Sequence, residues 1–197
     1  TMREGKWSKN GVRELFDVTI GVIGAGRAGS HFIRLLRQFD VHILVYDPAQ
    51  SDEHIKAMGA QRVSLEQLMR QSDVVSIHAP SIPQTEKMIN KETLAWMKDD
   101  AVLINTARGT IIDEPALIEE LTNGRLWACL DVTYPEPAAA DHPFRSLPNV
   151  ILTPHLAGAV ANGKQRIGAY IVRELELLQQ GQLMHGEVDL SNLHVLA

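Results

Sequence analysis

The sequence predicts an α/β domain built on a doubly wound parallel sheet. Three observations carry that expectation. First, a β-branched apolar run, Val18 to Ile23, leads at once into Gly24-Ala25-Gly26-Arg27-Ala28-Gly29 and then into a helical pattern with Phe32, Leu35, Leu36 and Phe39 on one side. Second, short apolar runs alternate with helical patterns along the whole chain, and the runs are apolar on both faces, as strands covered by helices are. Third, run after run ends in a polar or backbone-exposing residue, and open parallel sheets bind ligands outside the carboxyl ends of their strands.

Taken in order, the first strand–turn–helix unit assigns each glycine a task. Gly24 permits the tight turn, Gly26 lets backbone approach a pyrophosphate, and Gly29 lets the helix pack close to the strand. Unpaired N–H groups at the helix start favour an anion there, so the unit reads as a dinucleotide site. The second strand, Val41 to Tyr46, closes with Asp47 and Pro48. Asp47 stands about 20 residues past the glycines, where an acid meets adenosine ribose hydroxyls and repels a 2′-phosphate, which favours NAD over NADP. Ser51 to Met58 is a helix stopped by Gly59, Ala60 to Val63 a brief strand, and Ser64 to Arg70 a helix opened by a Ser64/Gln67 capping box. Asp73 to Ile77 is a buried strand ending in His78-Ala79-Pro80. Lys91 to Lys98 is a helix capped by Asn90. Ala101 to Ile104 is a strand followed by Asn105-Thr106-Ala107-Arg108-Gly109. A helix from Asp113 to Thr122, with Pro115 in its first turn, ends at Asn123-Gly124. Leu126 to Leu130 is a strand closed by Asp131, and a proline-rich loop leads to the last strand, Val150 to Leu152, then Thr153-Pro154-His155. Gly158 to Gln180 reads as one long amphipathic helix carrying Ile167, Ile171, Leu175 and Leu178.

Composition narrows the function classes. The 197 residues suffice for one ample domain, and a net charge of −5, from 19 basic and 24 acidic side chains, argues against nucleic acid or an anionic membrane as the main partner. No apolar run reaches the roughly 18 residues of a membrane span, and the opening TMREGKWSKNG has no apolar stretch of a secretory signal behind it. The single Cys129 excludes an internal disulfide and fits a reducing, cytoplasmic compartment; its apolar surroundings make it an inert thiol. No metal-ligand pattern stands out.

Three side chains suggest chemistry. Arg108, in a strand-to-helix turn, offers a planar fork to a carboxylate or carbonyl oxygen. His155, just after Pro154, can exchange a proton with a substrate hydroxyl near neutral pH. Glu136, between Pro135 and Pro137, can select the tautomer of an imidazole and favour its charged form. His78 reads as a structural strand-end histidine.

In these residues and their surroundings the chain resembles the cofactor domain of the D-isomer-specific 2-hydroxyacid dehydrogenases. The stretches that carry the likeness are Arg3 to Trp7, GVIGAGRAG, VYDP, DVVSIHAP, LINTARGTIIDEPAL, DVTYPEP and NVILTPHLAG, in the family's order through most of the chain. The resemblance implies a Rossmann domain and roles at single positions. Arg108 would orient the substrate carboxylate and carbonyl, His155 would be the acid–base, and Glu136 would hold and tune it. Arg27 and Ala28 would cover the pyrophosphate, Asp47 the ribose, and Asp131 the nicotinamide carboxamide. Ala79, Pro80, Thr106, Ala107 and Gly158 would line the cofactor by backbone contacts. Formate dehydrogenases also resemble the chain but carry glutamine beside the histidine, and a Glu–His pair suits a reaction that moves a hydroxyl proton.

The implied function is an NAD-dependent oxidoreductase acting on a small 2-hydroxy or 2-keto acid, as a homodimer joined through cofactor domains. A NAD-sensing corepressor of the same superfamily is the alternative. Two departures stand out. Val160 replaces the relatives' usual threonine at a helix start, and most of the family's substrate domain has no counterpart. Residues 1–17 are therefore expected to be a connector in which Trp7 seeks a neighbouring domain, 18–180 the NAD-binding domain, and 181–197 a tail returning to the substrate domain; such a fragment would bind NAD and turn over poorly.

Overall fold

The computed structural model describes residues 5, 14–158, 160–188 and 190. Trp7, most of the expected connector, and residues 191–197 of the tail lie outside the described residues. The strands are β1 (Thr19–Ile23), β2 (His42–Tyr46), β3 (Gln61–Arg62), β4 (Val74–Ile77), β5 (Val102–Asn105), β6 (Trp127–Leu130) and β7 (Val150–Leu152). They form one all-parallel sheet in the order β3-β2-β1-β4-β5-β6-β7. The chain winds outward from β1 to β3, crosses back to β4, and winds the other way to β7. The reversal between β1 and β4 opens a crevice at their carboxyl ends.

The helices are α1 (Arg27–Leu36), α2 (Asp52–Ala57), α3 (Leu65–Gln71), α4 (Lys91–Ala95), α5 (Glu114–Thr122) and α6 (Ala161–Gln179). Alternation along the strands sends side chains to two cores. Ile20, Val22, Ile43 and Val45 meet Ile33 and Leu36 of α1 and Ile55 of α2 on one face. Ile23, Leu44, Val75, Ile77, Leu103 and Leu130 meet α3, α4 and α5 on the other. Each fully buried Ile or Leu contributes roughly 1.5–3 kcal/mol. The expected caps form: Ser64 and Gln67 make a reciprocal capping box, and Asn90 accepts the N–H groups of Glu92 and Thr93.

Three expectations need correction. The buried side of α1 is Gly29, Ile33 and Leu36, while Leu35 and Phe39 are exposed. Because Gly29 must lie against β1, the stripe in register with it faces inward. The long C-terminal helix begins at Ala161 rather than Gly158; its N-cap, Val160, makes no side-chain hydrogen bond, as expected of valine in place of threonine. Its apolar residues Ile167, Ile171, Leu175 and Leu178 are all exposed, and Glu174 is its one buried residue. The second face of β5–β7 is correspondingly open: Trp127 is 49% and Ile151 64% exposed, with Ile104 and Cys129 half-buried in the same row. Two short 3₁₀ turns, Gly109–Ile111 and Pro143–Arg145, carry no periodic signal and were not expected. No described helix is long and apolar enough to cross a membrane.

Candidate active site

Three buried polar side chains at strand ends each tie down a loop. Asp47, after β2, accepts the N–H of Ala25 at 2.7 Å and that of Ala49 at 2.8 Å. Asn105, the last residue of β5, accepts the Ala107 N–H at 3.0 Å and donates to the Arg108 carbonyl at 2.9 Å. Asp131, after β6, accepts the Thr153 hydroxyl at 2.5 Å and the N–H groups of Leu156 and Ala157 at 2.9 and 2.8 Å. Each loop has left the sheet ladder, so its backbone groups need other partners, and the strand-end side chain supplies them. The sequence pointed Asp47 and Asp131 at a ligand; here both carboxylates also satisfy backbone. Asn105 was missed, although an Asn opening a turn is a legible signal.

The glycine loop is built by close approach. Gly24 has φ +91, and a Cβ on it would sit 2.8 Å from the Ala79 nitrogen. A Cβ on Gly29 would strike the Gly24 carbonyl oxygen. Gly26 is the contrast: a Cβ there would meet nothing within 4 Å. Helix α1 starts at this open point with no capping side chain and no acid in its first turn. Uncapped N–H groups and the positive end of the helix dipole thus sit beside room for an anion. The donor set fits a dinucleotide pyrophosphate, with Ala79 and Pro80 arriving from β4 across the crevice.

His78 is structural, as expected. Its ring lies 4.9 Å from that of Phe32, its Nε2 is 2.9 Å from Ser76 Oγ, and burial lowers its pKa below the usual histidine value. Cys129 is half-buried, and burial raises its thiol pKa, which keeps it inert.

His155 and Glu136 meet. His155 Nδ1 is 2.8 Å from Glu136 Oε1, with the two side chains 41% and 43% exposed. A carboxylate only accepts, so Nδ1 carries the proton and Nε2 is left as an acceptor. The pair borders a cavity of about 460 Å³ with Asp131, Thr133, Arg145 and Thr153. His155 has φ +51, unusual for a residue with a Cβ. It is held there by its N–H bonding the Asp131 carbonyl at 2.9 Å and by the three bonds to the Asp131 carboxylate.

Arg108 is exposed, and its Nη1 donates to the Ala107 carbonyl at 2.7 Å. The next residue, Gly109, is buried against the backbone of Thr133 and Tyr134; a Cβ on it would overlap the Thr133 carbonyl. The Arg108 turn therefore abuts the chain just ahead of Glu136. No described hydrogen bond joins Arg108 to Glu136 or His155. Thr106 and Gly158 are exposed and Ala107 half-buried on the same strand-end side. Among the described residues no group of three or more His, Cys, Asp or Glu is arranged to hold a metal.

Burial alone would raise the Asp131 pKa, but the Thr153 hydroxyl, the Ala157 and Leu156 amides and nearby His155 together hold it below the usual carboxylate value. A depressed folded-state pKa gives stability that is present above the unfolded pKa, about 3.9, and lost as pH falls through the folded value. Asp131→Asn is therefore expected to be less stable than the parent at neutral pH, and the gap is expected to shrink below about pH 4. Urea unfolding at a series of pH values checks this; a gap independent of pH would contradict it.

The family model for the D-isomer specific 2-hydroxyacid dehydrogenase, NAD binding domain, matches residues 1–157. The hydroxypyruvate reductase of Thermotoga maritima is 36% identical over 180 residues, which is 89% of this chain and 58% of that protein. The glyoxylate reductase of Thermofilum pendens is 38% identical over 191 residues, 92% of this chain and 56% of that protein. The crystal structure of D-lactate dehydrogenase with NAD+ from Lactobacillus jensenii superposes with a TM-score of 0.81 at 29% identity, covering 95% of this chain and 61% of that one. The chain thus spans under two thirds of the length of each of these relatives. By its family match, its sheet order and its glycine loop, this chain belongs to the D-isomer-specific 2-hydroxyacid dehydrogenases, as their NAD-binding domain.

Proposed function

We propose that this chain carries the cofactor site and the acid–base of an NAD-dependent oxidoreductase that oxidises the CH–OH group of a D-2-hydroxy acid or reduces the matching 2-keto acid. The observation that carries the reading is the 2.8 Å contact of Glu136 with His155 Nδ1, beside a cavity at the carboxyl end of the sheet. The cofactor unit is residues 18–180, flanked by 1–17 and 181–197. Within it Gly24, Gly26, Arg27, Ala28 and Gly29 would hold the pyrophosphate and Asp47 the adenosine ribose. Ala79, Pro80, Thr106, Ala107 and Gly158 would line the cofactor's length, and Asp131 would offer its remaining lone pairs to the carboxamide. When bound, NAD supplies the two-electron acceptor or donor.

The chain's own residues handle the proton and the charge. His155 Nε2 accepts the hydroxyl proton in oxidation and returns it to the substrate oxygen in reduction. Glu136 keeps the proton on Nδ1 and offsets the positive charge when the ring becomes doubly protonated. Arg108 presents its guanidinium to the substrate carboxylate.

Calorimetry tests the reading first. NAD is expected to bind, and NADP to bind more weakly because Asp47 repels a 2′-phosphate. Failure to bind either nucleotide would overturn the proposal. An NADH assay across glyoxylate, hydroxypyruvate and pyruvate then identifies the acid. The exposed apolar residues of α6 further support a second copy as the partner, a homodimer that sedimentation velocity would detect.

A further inference from the structure

The segment that delivers Glu136 has little backbone support of its own. Pro135 and Pro137 have no N–H, so neither can donate to the body of the domain. Among the described backbone hydrogen bonds none fastens residues 134–138. What fixes the segment is side chains, beginning with the Thr133 hydroxyl, which donates to the Pro135 carbonyl at 2.9 Å. Glu114, the first residue of α5, accepts the Tyr134 N–H through Oε1 at 2.7 Å. Its other oxygen lies 3.2 Å from His142 Nε2. His142 Nδ1 accepts the Phe144 N–H at 3.3 Å, which places the ring proton on Nε2, facing Glu114. Both side chains are largely buried, at 12% and 16% exposed. One carboxylate therefore grips the loop two residues before Glu136 and again six residues after it. Arg145 adds struts to the carbonyls of Ala139 and Ala138 at 2.8 and 2.9 Å.

We propose that Glu114 and His142 are positioning residues for the acid–base pair: this buried carboxylate–imidazole clamp sets where Glu136 stands, and so which ring nitrogen of His155 carries the proton. Two Glu–His pairs then stand in series along this loop. The buried pair anchors the loop, and the exposed pair works at the cavity. Glu114 touches neither the cavity lining nor His155 among the described contacts, so its effect must travel through the loop. With the clamp gone, Glu136 samples positions away from His155, and the ring reverts toward the Nε2–H tautomer that an unpartnered neutral histidine side chain prefers. A ring protonated on Nε2 cannot accept the substrate's proton there.

The role of the clamp in turnover rests on the dehydrogenase reading, but its effect on the tautomer does not. The experiment is ¹⁵N NMR of the His155 ring in the 197-residue chain, where the two nitrogen shifts report which one carries the proton. The parent is expected to show the Nδ1–H form. Glu114→Ala is expected to shift the population toward Nε2–H, and Glu114→Gln, whose carbonyl can still accept the Tyr134 N–H while its NH2 group cannot accept from His142, to restore part of it. In whichever form of the protein turns over, Glu114→Ala is expected to lower kcat about 10–100-fold with NADH affinity unchanged, as small misplacements of a reacting group do. A His155 tautomer unchanged in Glu114→Ala would overturn the clamp. A tautomer that shifts in a protein that never reduces a 2-keto acid would leave the clamp standing and overturn the dehydrogenase reading instead. Should Glu114→Ala fail to fold, His142→Ala removes one anchor and leaves the Glu114–Tyr134 bond, with the same two outcomes read the same way.

Discussion

Replacing His155 by asparagine is expected to slow 2-keto acid reduction about 10²–10⁴-fold, the range supplied by a positioned general acid–base, with NADH affinity left near that of the parent. The separation of the two effects is the point. The His155 ring lines the cavity beside Glu136, whereas the proposed pyrophosphate cradle lies at Gly24–Gly29, at the end of a different strand. Glu136→Gln is expected to fall between the two. An amide oxygen can still accept from Nδ1, but without its charge it no longer favours the doubly protonated ring. Stopped-flow turnover with calorimetric binding of NADH checks both variants. Loss of NADH affinity in step with turnover would show that His155 acts on binding rather than on the proton.

The second large effect is on folding and separates two glycines of one loop. Gly29→Ala drives a Cβ into the Gly24 carbonyl, a backbone atom that cannot rotate away. The expected cost is about 1–3 kcal/mol or more, the usual range for overpacking, together with loss of NAD binding as the loop shifts. Gly26→Ala meets nothing within 4 Å and keeps an ordinary extended backbone, with φ −68 and ψ −158. It is expected to fold with nearly parental stability and to bind NAD more weakly, because its methyl occupies space the pyrophosphate needs. Urea unfolding and calorimetry on the two variants decide the matter. Equal stabilities would mean that α1 can move off β1, and unimpaired NAD binding by Gly26→Ala would place the pyrophosphate elsewhere.

The apolar surface left open raises a matter of assembly. Strands read as apolar on both faces predict helices on both faces, and around β1 and β2 they are there. At β5–β7 the second face carries exposed Trp127 and Ile151, and the stripe of α6 is exposed as well. Surface of that kind is what the second copy proposed above would cover. Helical spacing said that α6 had an apolar side, but not that this side would lie outside the described fold.

Local chemistry was enough for much of this protein. Strand periodicity, the glycine turn, the Ser64 and Asn90 caps and the strand-end polar residues each depend on neighbours a few positions apart, so the amino-acid order alone determined the doubly wound sheet, the dinucleotide loop and the candidates Arg108, Glu136 and His155. Tertiary structure decided what those residues touch. Asp131 with the His155 loop and Gly109 with Thr133 are contacts made at strand ends. Glu114 grips Tyr134 from 20 residues away. Such partners meet only because a parallel sheet brings every strand's carboxyl end to one edge, and no spacing along the chain records which loops become neighbours there.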